Sequence, residues 1–105
     1  MSAEDDDPTV LRAAADRLER LAAGTTDGDW RTGGLLATRP EVIAHRPGGG
    51  TEHVAEARAG SAAWITALSP ALAPSLTAWL RAASLAEPVE PAAVEFARVL
   101  LGRTA

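Results

Sequence analysis

The segment RPGGGTEH, residues 46–53, contains residue types that bind phosphate groups. Backbone N–H groups of a glycine-rich loop in front of a helix attract anions, a threonine hydroxyl adds a hydrogen bond, and arginine adds positive charge. The Lys-Ser/Thr end of a Walker loop is missing, and no parallel βαβ unit precedes the segment. A linker between a hairpin and a helix is therefore the competing interpretation. The candidate ligand-binding residues are Arg31, Arg46, Gly48, Gly49, Gly50 and Thr51.

Other arrangements that support metal binding or catalysis are incomplete. His53 and Glu56 lie three residues apart, and His45 lies across the glycine run. A zinc site needs three or four ligands in which nitrogen or sulfur is prominent, and the chain contains no cysteine. No G-x-S-x-G turn surrounds any of the serines. We therefore expect no bound metal, no cofactor and no enzymatic activity.

The charge balance argues against nucleic-acid binding. The chain has 10 basic residues, all of them arginine, and 14 acidic residues, which gives a formal net charge of -4. The acidic excess lies in residues 4–7, so the rest of the chain is neutral and its arginines are scattered among acids. Proteins that bind nucleic acid concentrate basic residues on one face. We expect no nucleic-acid partner, and we predict that residues 1–6 form a disordered acidic tail.

The composition also bears on origin and location. Lysine, asparagine, glutamine, tyrosine and cysteine are absent and alanine is abundant, a bias typical of GC-rich genomes of the actinobacterial type. The start, MSAEDDDP, has no basic region followed by an apolar run, as a secretory signal would have. We therefore expect a cytoplasmic protein.

Local signals predict an N-terminal helix followed by a small antiparallel sheet. Asp7 and Pro8 suit the N-cap and the first position of a helix, and an apolar stripe with helical spacing follows in front of Gly24. Short segments punctuated by glycine and proline come next, and the pair Gly33-Gly34 favours a hairpin. The predicted strands are residues 29–32, 35–38 and 42–45.

Helices are predicted for the rest of the chain. An apolar stripe favours a helix over residues 52–68, and Ser69-Pro70 favours its end and the start of the next helix. Glu90-Pro91 favours the start of the last helix by the same logic. The predicted fold class is α+β: an N-terminal helix, a small three-stranded antiparallel meander, and two to three C-terminal helices, in a single domain over residues 7–105.

The stretch over residues 59–80 lies between Arg58 and Arg81 and carries no charge. It is as long as a membrane span, but Pro70 and Pro74 interrupt it, and each half is too short to cross a hydrocarbon core of about 30 Å. We therefore expect no membrane insertion and predict two amphipathic helices.

For the first half of this uncharged stretch the helical spacing predicts a buried face, and for the second half it predicts an exposed apolar face. The residues predicted to face the protein's own core are Ser61, Trp64, Ile65 and Leu68, together with Trp30 on the first strand. The second half has more apolar surface than so small a domain can cover. Its predicted interaction surface consists of Leu72, Leu76, Trp79 and Leu80.

Three segments, TTDGDW, SAAWITALSPA and LTAWL, resemble the small Ead-like phage and prophage proteins. In that group a Thr-Pro-Gly-Pro-Trp box precedes a hairpin, and an Asp-Ala-Ala-Phe-Ile-Ala segment leads to a proline and a leucine-rich helix. The resemblance implies an accessory, phage-derived context and carries over no catalytic residue. The matching residues are Thr26, Gly28 and Trp30 in the first box, Ala62, Ala63, Trp64 and Ile65 in the second, and Pro70, Leu76 and Leu80 beyond it.

Two hypotheses for function follow from these patterns. The leading one is a non-catalytic accessory protein that acts through protein–protein contacts, as a homodimer or as an adaptor. The alternative is a domain that binds a small ligand or a nucleotide through the glycine-rich loop at residues 48–51 and the neighbouring arginines.

Overall fold

The structure, a computed structural model, describes residues 6–34 and 40–105 and has the predicted α+β architecture. An N-terminal helix precedes a three-stranded antiparallel sheet, and three further α-helices follow it, as predicted. The elements are α1 Asp7–Ala23, β1 Asp29–Gly33, β2 Glu41–His45, β3 Thr51–Glu56, α2 Ala59–Ala67, a 3-10 turn at Pro70–Leu72, α3 Ala73–Leu85 and α4 Pro91–Arg103.

The contacts within the chain form two compact units. The helical unit contains α1, α3 and α4, and the sheet unit, Ala22–Leu72, contains the sheet and α2. The predicted strand over residues 35–38 lies outside the described residues, as does the predicted acidic tail except for Asp6. Within the described ranges, no helix combines the length and the apolar character needed to cross a membrane.

Helix α1 begins one residue earlier than predicted. The Asp6 carboxylate accepts a hydrogen bond of 2.9 Å from the Thr9 backbone N–H, so Asp6 rather than Asp7 is the N-cap. Hydrogen bonds with the Thr9 side chain and backbone lower the pKa of Asp6. Asp7 becomes the first helical residue and contacts Arg98 of α4 at 3.4 Å. A carboxylate at either position satisfies free N–H groups, which is why the sequence did not distinguish them.

Small side chains form most of the core of the helical unit. Leu11 and Leu80 are its largest fully buried side chains, and alanine surrounds them, which lets helices approach closely. The prediction that Leu80 belongs to an exposed strip is therefore wrong, because Leu80 lies on the face of α3 that packs into this core. The core residues are Val10, Leu11, Ala14, Ala15, Leu80, Ala83, Ala93, Val94, Ala97 and Leu101.

Arginines connect α3 and α4 to α1 around this core. Arg81 donates hydrogen bonds to Glu19 and Asp16 of α1, and the hydrogen bond from Arg81 lowers the pKa of Glu19. Arg17 donates to the backbone and side-chain oxygens of Thr104, the residue that ends α4. Exposed ion pairs contribute little stability each, but these pairs fix which helix faces meet.

The glycine-rich segment forms a β-turn rather than a linker to a helix. Arg46 N–H donates to the Gly50 carbonyl at 2.8 Å and Gly49 N–H donates to the Arg46 carbonyl at 2.9 Å. Gly49 adopts φ of 92°, a conformation that glycine accepts without a Cβ clash. The chain therefore reverses, and β3 pairs with β2. The prediction of a helix over residues 52–68 is wrong in its first half, and α2 starts only at Ala59.

One face of the sheet unit is covered by α2, which contacts β1 and β2. Val42 and Ala44 alternate as the fully buried residues of β2, and Ala62 is the buried residue of α2. Trp30, opposite Ala44 in the register, is half-buried, and its Nε1–H donates to the Thr26 carbonyl at 2.9 Å. The helix thus covers the apolar face of the sheet, as the stability of a small sheet requires.

Replacing Leu80 with alanine tests the core of the helical unit. We expect a loss of about 2–5 kcal/mol in the free energy of unfolding, because the surrounding backbone cannot collapse fully into the cavity. Leu85→Ala on the same helix is the matched control, since Leu85 is 82% exposed and its truncation should change stability by less than about 0.5 kcal/mol. Urea unfolding followed by circular dichroism measures both, and equal midpoints would contradict the packing.

Replacing Gly28 with alanine tests the entry to β1. Gly28 has φ of 107°, and a Cβ there would lie 2.8 Å from the His45 carbonyl oxygen. We expect a loss of about 1–3 kcal/mol in a thermal or urea melt. Gly48→Ala serves as the control because an added Cβ at Gly48 meets nothing within 4 Å. A Gly28→Ala variant as stable as the wild type would contradict the close contact between Gly28 and the His45 carbonyl of β2.

Candidate interaction surfaces

The four residues of the predicted interaction surface occupy different environments. Leu80 is buried, Leu76 is half-buried, and Trp79 is 38% exposed, all on α3. Leu72 belongs to the sheet unit and is 36% exposed. The structure therefore retains Leu76 and Trp79 at the surface of the helical unit and removes Leu80 from the predicted surface.

Trp79 makes its main aromatic contact with α4. Its ring centroid lies 5.5 Å from that of Phe96, and the rings are tilted by 48°, a geometry typical of stabilising aromatic pairs. Phe96 is half-buried against the helical core. Trp79 is thus anchored on one side and accessible on the other.

The most exposed aromatic residue is Trp64, which the sequence placed in the core. Trp64 is 68% exposed and Leu68 is 55% exposed, so the predicted core face of α2 is wrong. Ala62 is buried and Ile65 is half-buried, which shows that the helix packs on the sheet through a neighbouring face. The helix sequence AGSAAWITA contains no charged residue, and its periodicity therefore does not select a face.

Trp64 and Leu68 form one continuous apolar area, called here the Trp64 surface. Residues four apart lie on the same side of a helix, and the Leu68 N–H donates to the Trp64 carbonyl at 3.1 Å where α2 ends. Exposed residues around them are small and uncharged, including Gly60, Ala63 and Ala67. The sequence signal for this surface was the absence of charge over residues 59–80, which does not by itself distinguish a core from an exposed face.

The candidate ligand-binding residues lie in the sheet unit, but carboxylates already pair with their cations. Arg46 contacts Asp27 at 3.1 Å and also contacts Glu52, and the hydrogen bond with Asp27 raises the pKa of Arg46. Arg31 contacts Asp29 at 2.7 Å. An anion would have to displace these carboxylates.

The glycines and Thr51 do not form an anion site at a helix end. Gly48, Gly49 and Gly50 occupy the exposed hairpin turn, and Thr51 begins β3 opposite His45. The expected geometry required a helix N-terminus after the loop, and a strand follows it instead. Throughout the described residues, every buried side-chain nitrogen or oxygen has a hydrogen-bond partner, so none points unpaired into a cavity.

The two histidines lie in the sheet. His53 Nδ1 is 3.4 Å from Glu41 Oε1 on the adjacent strand, while His45 is opposite Thr51. Over residues 6–34 and 40–105, no group of three or more histidine, aspartate or glutamate side chains is placed to hold a metal ion.

Comparison with protein-family models, curated proteins and solved structures gives no match to this chain. The resemblance to Ead-like phage proteins therefore stays a prediction.

A thermal-shift experiment tests the ligand hypothesis directly. Because Arg31 and Arg46 are paired, we expect millimolar phosphate or nucleoside triphosphate to leave the melting temperature unchanged at matched ionic strength. A ligand that binds only the folded state would raise it with concentration by mass action. Sodium chloride of equal ionic strength is the control, and a rise that Arg46→Ala abolishes would establish anion binding at the hairpin.

Proposed function

We propose that this protein is a non-catalytic accessory protein that acts by binding another protein through the Trp64 surface. The carrying observation is the 68% exposure of Trp64 on a helix without charged residues. A cytoplasmic location and a phage-derived context form part of this proposal.

An exposed tryptophan favours a contact function on energetic grounds. A tryptophan side chain buries about 150–250 Å² when it is covered, and burial of apolar area contributes about 25 cal/mol per Å². Tryptophan is also among the residues that carry most of the binding energy in interfaces. Leu68 extends the apolar area by one helical turn, so a partner gains from covering both side chains.

The chemistry of the Trp64 surface indicates what kind of partner fits it. No charged residue lies on α2 or between α2 and Arg81, so the helix itself offers no charged side chain to a partner. Charged pairs are what commonly fix the register and orientation of a contact. The fitting partner is a different protein that presents an apolar groove or helix face, whose own shape sets the orientation. This corresponds to the adaptor form of the contact hypothesis.

Trp64→Asp tests the proposal, with Ala63→Asp as the matched control. Both positions are exposed on the same helix, so both variants should fold with unchanged circular dichroism. We expect a protein captured from the native cell extract, then purified and titrated by calorimetry, to bind Trp64→Asp at least about thirtyfold more weakly, as for a hot-spot residue.

The control variant separates the loss of the Trp64 side chain from the effect of an added charge. Ala63→Asp adds the same charge beside the Trp64 surface and should retain most of the affinity. Equal affinity of the wild type and Trp64→Asp, or no purified protein that binds the wild type, would contradict the proposal.

A further inference from the structure

Helix α4 exposes an apolar residue between two opposite charges. Val99 is 56% exposed, and Glu95 and Arg103, four residues before and after it, are also exposed. Residues spaced by four form a continuous ridge along a helix. The ridge is thus acidic at one end, apolar in the middle and basic at the other end.

Glu95 and Arg103 have no ion-pair partner among the described residues. The other arginines of α3 and α4 are engaged, Arg81 with Asp16 and Glu19, and Arg98 with Asp7. The helical unit therefore uses the arginines that face α1 for its own structure and leaves the charges of the ridge available.

We propose that two copies of this chain associate through α4, antiparallel and about a two-fold axis at Val99. In that arrangement a residue before Val99 on one copy lies opposite the residue equally far after Val99 on the other. Glu95 of each copy then faces Arg103 of its mate, which forms two equivalent ion pairs around the Val99 contact. Packing ridges of residues spaced by four gives a crossing angle near −50°, the commonest class of helix packing.

The ridge is self-complementary, which favours a second copy over an unrelated partner. A two-fold interface uses the same patch on both subunits, so the patch must contain its own complement. The sequence order acid, apolar residue, base satisfies that requirement only when the helices run antiparallel, since a parallel pair would place like charges together.

Neighbouring residues add apolar area at the margin of this contact. Phe96 lies one turn before Val99 and contacts Trp79, whose exposed part extends the surface onto α3. Ala92 and Gly102 on α4 are small and exposed, and a Cβ added at Gly102 would meet nothing within 4 Å, so a second helix can approach. This inference does not depend on the Trp64 surface and goes beyond the adaptor proposal.

Charge reversal at the two ends of the ridge tests the inference on the full chain. By sedimentation velocity at high micromolar concentration and low salt, we expect the wild type to form dimers. Glu95→Arg and Arg103→Glu should each weaken dimerisation at least about tenfold, because each change places like charges together twice. Glu87→Arg, an equal charge change at an exposed position between α3 and α4, is the control and should dimerise like the wild type.

Restoring dimerisation with a second, compensating charge reversal distinguishes a specific contact from a damaged fold. The double variant Glu95→Arg with Arg103→Glu should dimerise again, and an equimolar mixture of the two single variants should form heterodimers. Trp64→Asp should dimerise like the wild type, which distinguishes this contact from the adaptor surface. A monomeric wild type, single variants that dimerise normally, or a mixture that stays monomeric would each overturn the inference.

Discussion

The helical unit depends on a core in which alanine supplies half of the buried residues. Leu11 and Leu80 are the largest fully buried side chains of the helical unit, and five alanines of α1, α3 and α4 share the core with them. A core of this composition buries few large apolar side chains. Trp79, Leu85 and Val99 lie at the surface of the helical unit, and the proposed α4 contact uses Val99.

The helix boundaries that the sequence predicted correctly are set by local signals. Ser69-Pro70 separates α2 from α3, and Pro74 and Pro91 lie in the first turns of their helices, where a missing N–H costs nothing. The helix predicted to begin at residue 52 is wrong over residues 52–56 because the preceding glycines leave the chain direction open. Three consecutive glycines permit either a linker or a turn, and the pairing of β3 with the preceding strand β2 decides for the turn.

The candidate surfaces were less predictable than the elements, because periodicity identifies a face only when polar residues mark the opposite one. Helix α1 has that contrast, and its buried residues, Val10, Leu11, Ala14 and Ala15, belong to its apolar stripe. Helix α2 lacks that contrast, so the sequence does not show whether the face of Ala62 or the face of Trp64 is buried. In the structure Ala62 is buried and Trp64 is exposed. On α3, Trp79 and Leu80 are adjacent, and only the position of α1 and α4 decides that Leu80 enters the core.

The two proposed surfaces differ in the property that selects a partner. The Trp64 surface has no charge, so its specificity must come from the shape of the protein that covers it. The α4 ridge has one apolar residue and two opposite charges, so its specificity comes from charge register. A self-contact needs a patch that contains its own complement, and this register supplies one, whereas an adaptor contact can rely on a partner that supplies the missing complement.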